Sequence, residues 1–300
     1  MRAILLAAVL AATVGCSVRR FAVNRLGDAL ASSGATFASD EDPELVGEAL
    51  PFALKLMESL LAESPRHRGL LFAVASGFTQ YAYAFVQQTA DELEDQDLAQ
   101  ATRLRTRARK LYLRARDYGL RGLEVRRPGF QQALRAGAKD AVRGVRKADV
   151  PLLYWTAAAW GAAISVSKDD PETVADQPLV EALIDRALEL DETFDNGAIH
   201  AFLVNYEPSR PGGGASDAAA RARKHFERAL QLSAGRLASP LVAFAETVSV
   251  SRQDKKEFQT LLRRALEVDV NARPEWRLAN LVTQRRARWL LGRTDQLFLE

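Results

Sequence analysis

"RALELD" (186–191), "RALQLS" (228–233) and "RALEVD" (264–269) decide the fold of this chain. Each closes an amphipathic run of Ala, Leu, Arg and Glu, the residues that lose least on entering a helix. Their alanines, Ala187, Ala229 and Ala265, stand 42 and 36 residues apart. Tetratricopeptide (TPR) units run at about 34 residues, so these are TPR-like lengths with loop insertions, and "RPGGGAS" (210–216) supplies one insertion. Ala222, Phe226 and Ala229 have the spacing of a second repeat helix, and Trp276 falls where a next first helix begins. In the first half Pro65, Ala75 and Phe78 occupy the matching slots, while other slots differ. The expected fold is all-α: a divergent TPR-like array of helical hairpins forming a compact α-solenoid. Each pair must stack on its neighbours to bury its apolar face.

The rest of the chain agrees with a helical reading. Asp42-Pro43-Glu44 is a helix start, with an N-cap, a proline in the first turn and an acid beside the N-terminal dipole. Pro51 is expected to open a second helix and Pro65 to end it. "GLLFAVASGFTQYAYAFVQQTA" (69–90) carries no charge, yet Ser76, Thr79, Gln80 and the tyrosines make it too polar for a membrane span. It reads as a helix buried on most faces. "DELEDQD" (91–97) and "RLRTRARK" (103–110) read as solvated faces of a long helical hairpin. "PLLYWTAAAWGAAISVS" (151–167) reads as a second buried helix.

The N-terminus carries a different signal. Arg2, the uncharged run Ile4 to Ala12 and small residues before Cys16 form the three-part pattern of a secretory leader. Cys16 is the only cysteine, so no internal disulfide can form. The end of the run resembles the lipobox of bacterial lipoproteins, with Thr13 where Leu is usual. Cleavage there would leave a lipidated Cys16. Ser17, in place of an Asp, implies transfer to the outer membrane, facing the periplasm. The expected domains are a leader over 1–15, a lipid anchor and flexible tether over 16–42, and one helical body over 43–300.

Lys and Arg number 41 against 38 Asp and Glu, a net charge of +3. That balance gives no argument for nucleic acid or anionic lipid as partner. No catalytic set stands out. The three histidines, 67, 200 and 225, lack metal-ligand spacing, and no GxSxG, HExxH or P-loop stretch occurs. Asp170 and Asp254 stand at helix starts, where capping explains them. Gln80, Tyr81 and Tyr83, with Tyr154, Trp155 and Trp160, are candidates to line an apolar cavity; packing between helices is the alternative. Arg285 and Arg286 crowd an apolar helix, and either pair with acids such as Glu246 or Asp254 or meet an anionic group on a ligand or partner.

Several segments in order carry a family resemblance: "ALPFALKLMESLLAESPRHRGLLFAVASGFTQYAYAFVQ" (49–87), "ARKLYLRARDYGLRGLE" (108–124), "GAIHAFLVNYEPSRPGG" (197–213), "HFERALQLS" (225–233) and "NLVTQRRARWLLGRTDQLF" (280–298). Together they resemble the T component of TPR-associated TRAP (tripartite ATP-independent periplasmic) transporters. The resemblance implies a periplasmic lipoprotein, acylated at Cys16, that oligomerises around the solute-binding P component. It also implies a hydrophobic small solute as ligand, and neither cofactor, metal nor catalytic residue. The other function class open to a lipid-anchored helical array is a scaffold for outer-membrane or envelope assembly.

Overall fold

A computed structural model describes residues 22–32, 34–211 and 214–299; the leader, Cys16, and Gly212 and Gly213 of the glycine-rich insertion lie outside the described residues. The described chain is helical, and no strand occurs in it. It opens with α1 (22–32) and α2 (Gly34–Ala38). The body continues with α3 (Pro43–Glu63), α4 (Arg68–Tyr81), a π-helical segment (Ala82–Gln87), α5 (Gln88–Leu93) and α6 (Leu98–Glu124). Next come α7 (Phe130–Ala136), α8 (Ala138–Arg143), α9 (Val150–Ser165), α10 (Pro171–Val174), α11 (Gln177–Leu190) and α12 (Ala198–Tyr206). The last third holds α13 (Ala215–Leu232), α14 (Ser239–Phe244), a second π-helical segment (Ala245–Ser249), α15 (Lys255–Leu266), α16 (Arg277–Gly292) and α17 (Thr294–Leu297).

The local signals act as their chemistry dictates. The Asp42 carboxylate accepts the Glu44 and Leu45 amides, both at 3.0 Å, and starts α3. Asp254 caps α15 by accepting the Glu257 amide at 2.8 Å. Gly129 takes φ +83° where the chain turns into α7, a conformation that costs glycine little. Pro51 departs from expectation. It lies inside α3, which runs unbroken from Pro43 to Glu63. Burial of Val46, Leu54, Met57 and Leu61 on the same helix outweighs the missing backbone donor. Residues 22–38, within the span expected as a tether, hold the helices α1 and α2. α1 packs on α4, where a Cβ on Gly27 would stand 2.9 Å from Leu70, and Ser64 donates to the Asn24 side chain at 2.8 Å.

Three apolar cores follow one another along the chain. The first joins α3, α4 and α6 around Leu70, Leu71, Val74 and Tyr112. The second is built on α9 and α11 around Leu153, Trp160, Leu183 and Ile199. The third spans α12 to α17 around Phe226, Phe244, Phe258 and Leu290. The first two are locked where α6 crosses α9. Gly119 lies against Thr156, and a Cβ on Gly122 would meet Leu152 at 2.8 Å. The continuous helix over Arg68–Leu93 is long and apolar enough to cross a membrane, with mean hydropathy 1.3, but 67% of its apolar window is buried in the body.

The last long helix returns to the beginning of the body. α16 packs on α2 and α3, and Arg277 donates to the Ser39 carbonyl at 2.9 Å. A line of ion pairs reinforces this closure, with partners 193 to 198 residues apart in the chain. The arrangement of those pairs is the next concern.

Candidate functional site

Arg286 is the centre of the closure. Its side chain is 9% exposed, and it pairs with Asp91 of α5 at 2.9 Å and with Glu246 of the second π segment. Trp289, one turn further along α16, lies under the guanidinium at 4.2 Å. Burial alone would weaken the Arg286 charge. Glu246, with Tyr83 and Asp91 behind it, more than offsets that and holds the arginine above its ordinary pKa. Asp91 is shared with Arg105 of α6, which also forks onto Glu94 at 2.7 and 2.9 Å. On either side Arg285 binds Glu92 and Arg293 binds Asp95. The acidic stretch 91–97 therefore does more than solvate a hairpin: Asp91, Glu92 and Asp95 join the two ends of the body.

Both π-helical segments of the described chain meet here. Such segments interrupt the regular bonding ladder and recur at functional sites. The first supplies Tyr83 and Gln87, and the second supplies Glu246. Tyr112 donates to Gln87 at 2.6 Å. Burial, then the Glu246 carboxylate, raise the Tyr83 pKa although 41% of its surface is exposed. Burial, helped by Tyr83 and Asp91, lifts Tyr112 well above the ordinary phenol range. Both phenols therefore stay protonated, and Tyr112 acts as a donor. Gln88 is fully buried beside Tyr83, and its amide faces the Tyr83 hydroxyl. The site can clamp charge and offer hydrogen bonds; it presents no nucleophile positioned by a base.

The residues singled out from sequence are spread over several settings. Gln80 is exposed and donates to the Ser76 carbonyl of its own helix at 3.3 Å. Tyr81 is 8% exposed in the first core, where its hydroxyl accepts from Arg107 at 3.3 Å. Trp160 is 1% exposed in the second core, with Arg116 5.0 Å above its ring. Tyr154 and Trp155 are half-buried and meet edge-on, and Phe194 joins Tyr154 at 5.4 Å. Of these candidates only Tyr83 reaches the Arg286 cluster, and no ring contact joins the Tyr81 and Tyr154 groups. Cys16 lies outside the described residues. Asp91, Gln88 and Tyr112 were not singled out from sequence. The signal that bears on them is the match between acids at 91, 92 and 95 and arginines at 286, 285 and 293.

Two other features complete the inventory. His200 of α12 and His225 of α13 share a hydrogen bond of 2.9 Å between their Nδ1 atoms. Burial lowers the pKa of His200 and, with its neighbour, pushes His225 down to about 4, so one neutral ring donates to the other. Among the described residues no cluster of three or more His, Cys, Asp or Glu side chains could hold a metal ion.

The described residues thus form an all-helical body closed by a charged seam. In comparison with known proteins, the sequence matches the family described as TRAP transporter T-component over residues 39–298, and the chain belongs to that family. It is also 30% identical over 310 residues to an uncharacterized protein of Treponema pallidum (strain Nichols), spanning 95% of this chain and 94% of the relative. Family membership makes it an accessory component of a TRAP transporter.

Proposed function

We propose that the chain is a lipid-anchored periplasmic subunit that docks the solute-binding component of its transporter and holds or passes a hydrophobic solute. The observation that carries this reading is the family match across 39–298, which covers the whole helical body. The leader-like residues before Cys16 support export and acylation, and Ser17 supports the outer membrane as destination. In this reading the subunits oligomerise around the solute-binding partner. Tyr154, Trp155 and Phe194 are half-buried, so they can offer an aromatic wall to an apolar molecule, and Tyr83 beside Gln88 can offer a polar end. The chain carries out no chemistry on the solute.

Affinity purification of the tagged full-length protein from its own envelope, with mass spectrometry of the co-purifying proteins, tests this. The expected result is recovery of a periplasmic solute-binding protein, with or without the membrane permease. Recovery of barrel-assembly or secretion proteins alone would overturn the reading and assign the array to envelope scaffolding.

A further inference from the structure

Helix α6 concentrates charge that the whole-chain balance conceals. Its 27 residues hold Arg103, Arg105, Arg107, Arg109, Lys110, Arg114, Arg116 and Arg121 against Asp117 and Glu124. Arg105 and Arg109 turn inward to carboxylates on α5 and at the start of α10. Arg103, Arg107, Lys110, Arg114 and Arg121 recur every three to seven residues and form one outward stripe, about 27 Å long at the rise of an α-helix.

Most of that charge is uncompensated. Arg103 bonds the neutral Gln100, Arg107 bonds the Tyr81 hydroxyl and Arg121 bonds the Pro65 carbonyl at 3.3 Å. Only Arg114 meets an acid, Glu58, which Lys55 and Tyr118 also engage at 2.7 Å. The stripe's two acids are themselves occupied: Asp117 by Arg116, and Glu124 by the Gly129 and Gln131 amides. Lys110, Arg114, Tyr118 and Arg121 border an open groove of about 430 Å³, and Arg66 and Arg121 border a second beside it.

The position of the chain's entry into the body says what faces this stripe. Asn24 of α1 is fixed to Ser64 at 2.8 Å and to His67 at 3.2 Å, next to Pro65 and Arg66 at the Arg121 end of the stripe. Cys16 is six residues before α1, a span of at most about 20 Å fully extended. The sequence places two more bases, Arg19 and Arg20, inside that span. An acyl chain on Cys16 thus holds the Arg121 end of the stripe within one short tether of the bilayer. A basic segment so placed is drawn to anionic headgroups at short range.

We propose that the outer face of α6 is a headgroup-binding surface that lays the body along an anionic phospholipid membrane. The proposal rests on the anchoring at Cys16 in the function proposed above. Acyl chains fix the protein to the bilayer, and the stripe fixes its orientation there.

The test uses the lipidated full-length protein in vesicles that carry a headgroup nitroxide lipid. A Thr106→Cys substitution places a fluorophore on the outer side of α6; acylation leaves this as the only free thiol. Thr260→Cys on α15 is the control. With about one third phosphatidylglycerol in the vesicles, quenching at position 106 is expected to exceed that in pure phosphatidylcholine at least about twofold, and to be lost near about 0.3 M salt. Quenching at position 260 should not respond. Adding Arg103→Gln, Arg107→Gln and Lys110→Gln, none of which breaks a carboxylate pair, should weaken the lipid contact about a hundredfold. Equal quenching at 106 in both lipids, or quenching that survives the triple change, would overturn the proposal. So would unchanged quenching in a triple variant that no longer captures the solute-binding component, which would assign the stripe to an acidic protein. The mass of the N-terminal peptide reports acylation separately. If no acyl group is present, anchoring fails on its own terms; the unlipidated chain's salt-sensitive binding to phosphatidylglycerol vesicles then decides, and its absence overturns the proposal.

Discussion

Arg286→Met removes the cation at the middle of the closure while keeping much of the aliphatic stem. Breaking a buried ion pair by deleting one partner costs about 3–5 kcal/mol, because a charge is left in a poor solvent. Two features lower that figure here. Asp91 keeps Arg105 at 3.3 Å, and the Glu246 side chain is 32% exposed and can hydrate. The expected loss is therefore about 3 kcal/mol, near the lower end of the range, or about 6–12 °C in Tm for a body of this size. Glu246→Gln alone removes the same pair from the other side and should cost less, about 1–2 kcal/mol. With Arg286 gone, neutralising Glu246 relieves an unpaired charge, so the double variant should lose no more than Arg286→Met by itself. Urea unfolding followed by circular dichroism gives the four free energies. Losses that add to within about 0.5 kcal/mol would mean the two side chains are not coupled and would refute the argument. Hydrogen exchange supplies the spatial half of the test. Amides of α5 and α16 should lose protection in Arg286→Met while those of α9 keep theirs.

Three further outcomes follow from the geometry. His225 is neutral in the folded protein and protonates more easily when unfolded, so its contribution to stability is present above pH 6.5 and falls away towards pH 4; a His225→Gln variant should show a flatter denaturation profile across that window. Gly119→Ala should destabilise the protein by about 1–3 kcal/mol despite alanine's better helix propensity, because the new methyl meets the Thr156 hydroxyl, and a paired Thr156→Ala should recover much of the loss in a thermal melt. Trp160→Ala should cost about 3–5 kcal/mol whereas the half-buried Trp155→Ala stays folded, and chemical denaturation of the two variants side by side checks this.

The helical character of the chain was legible because it is written locally. Asp42 before Pro43, the "RAL" alanines and the amphipathic run of α6 each specify helix within a few residues. Pro51 misled because its effect depends on what the rest of α3 buries, and the docking of α1 was not legible because nothing along the chain shows that Gly27 lets one helix press on another. The cluster around Arg286 was half legible. Glu246 lies 40 residues away, within the preceding units, and was within reach of a repeat argument. Asp91 lies 195 residues away and became a neighbour only when the ends met. No pattern along the chain carries that distance. The same limit applies to charge: a sum of +3 is an average, and α6 shows how far a single face can stand from it.

The closure also changes how the protein should come apart. In an open row of stacked hairpins each unit touches only its neighbours, and melting starts at whichever end is loosest. Here α16 is held to α2, α3 and α5, so the two halves of the seam protect each other. The seam between Asp91 and Arg286 thereby turns a series of local equilibria into one cooperative event. It also forms last, since its halves are made nearly 200 residues apart during synthesis. A chain that has reached this state has been made at least as far as α16.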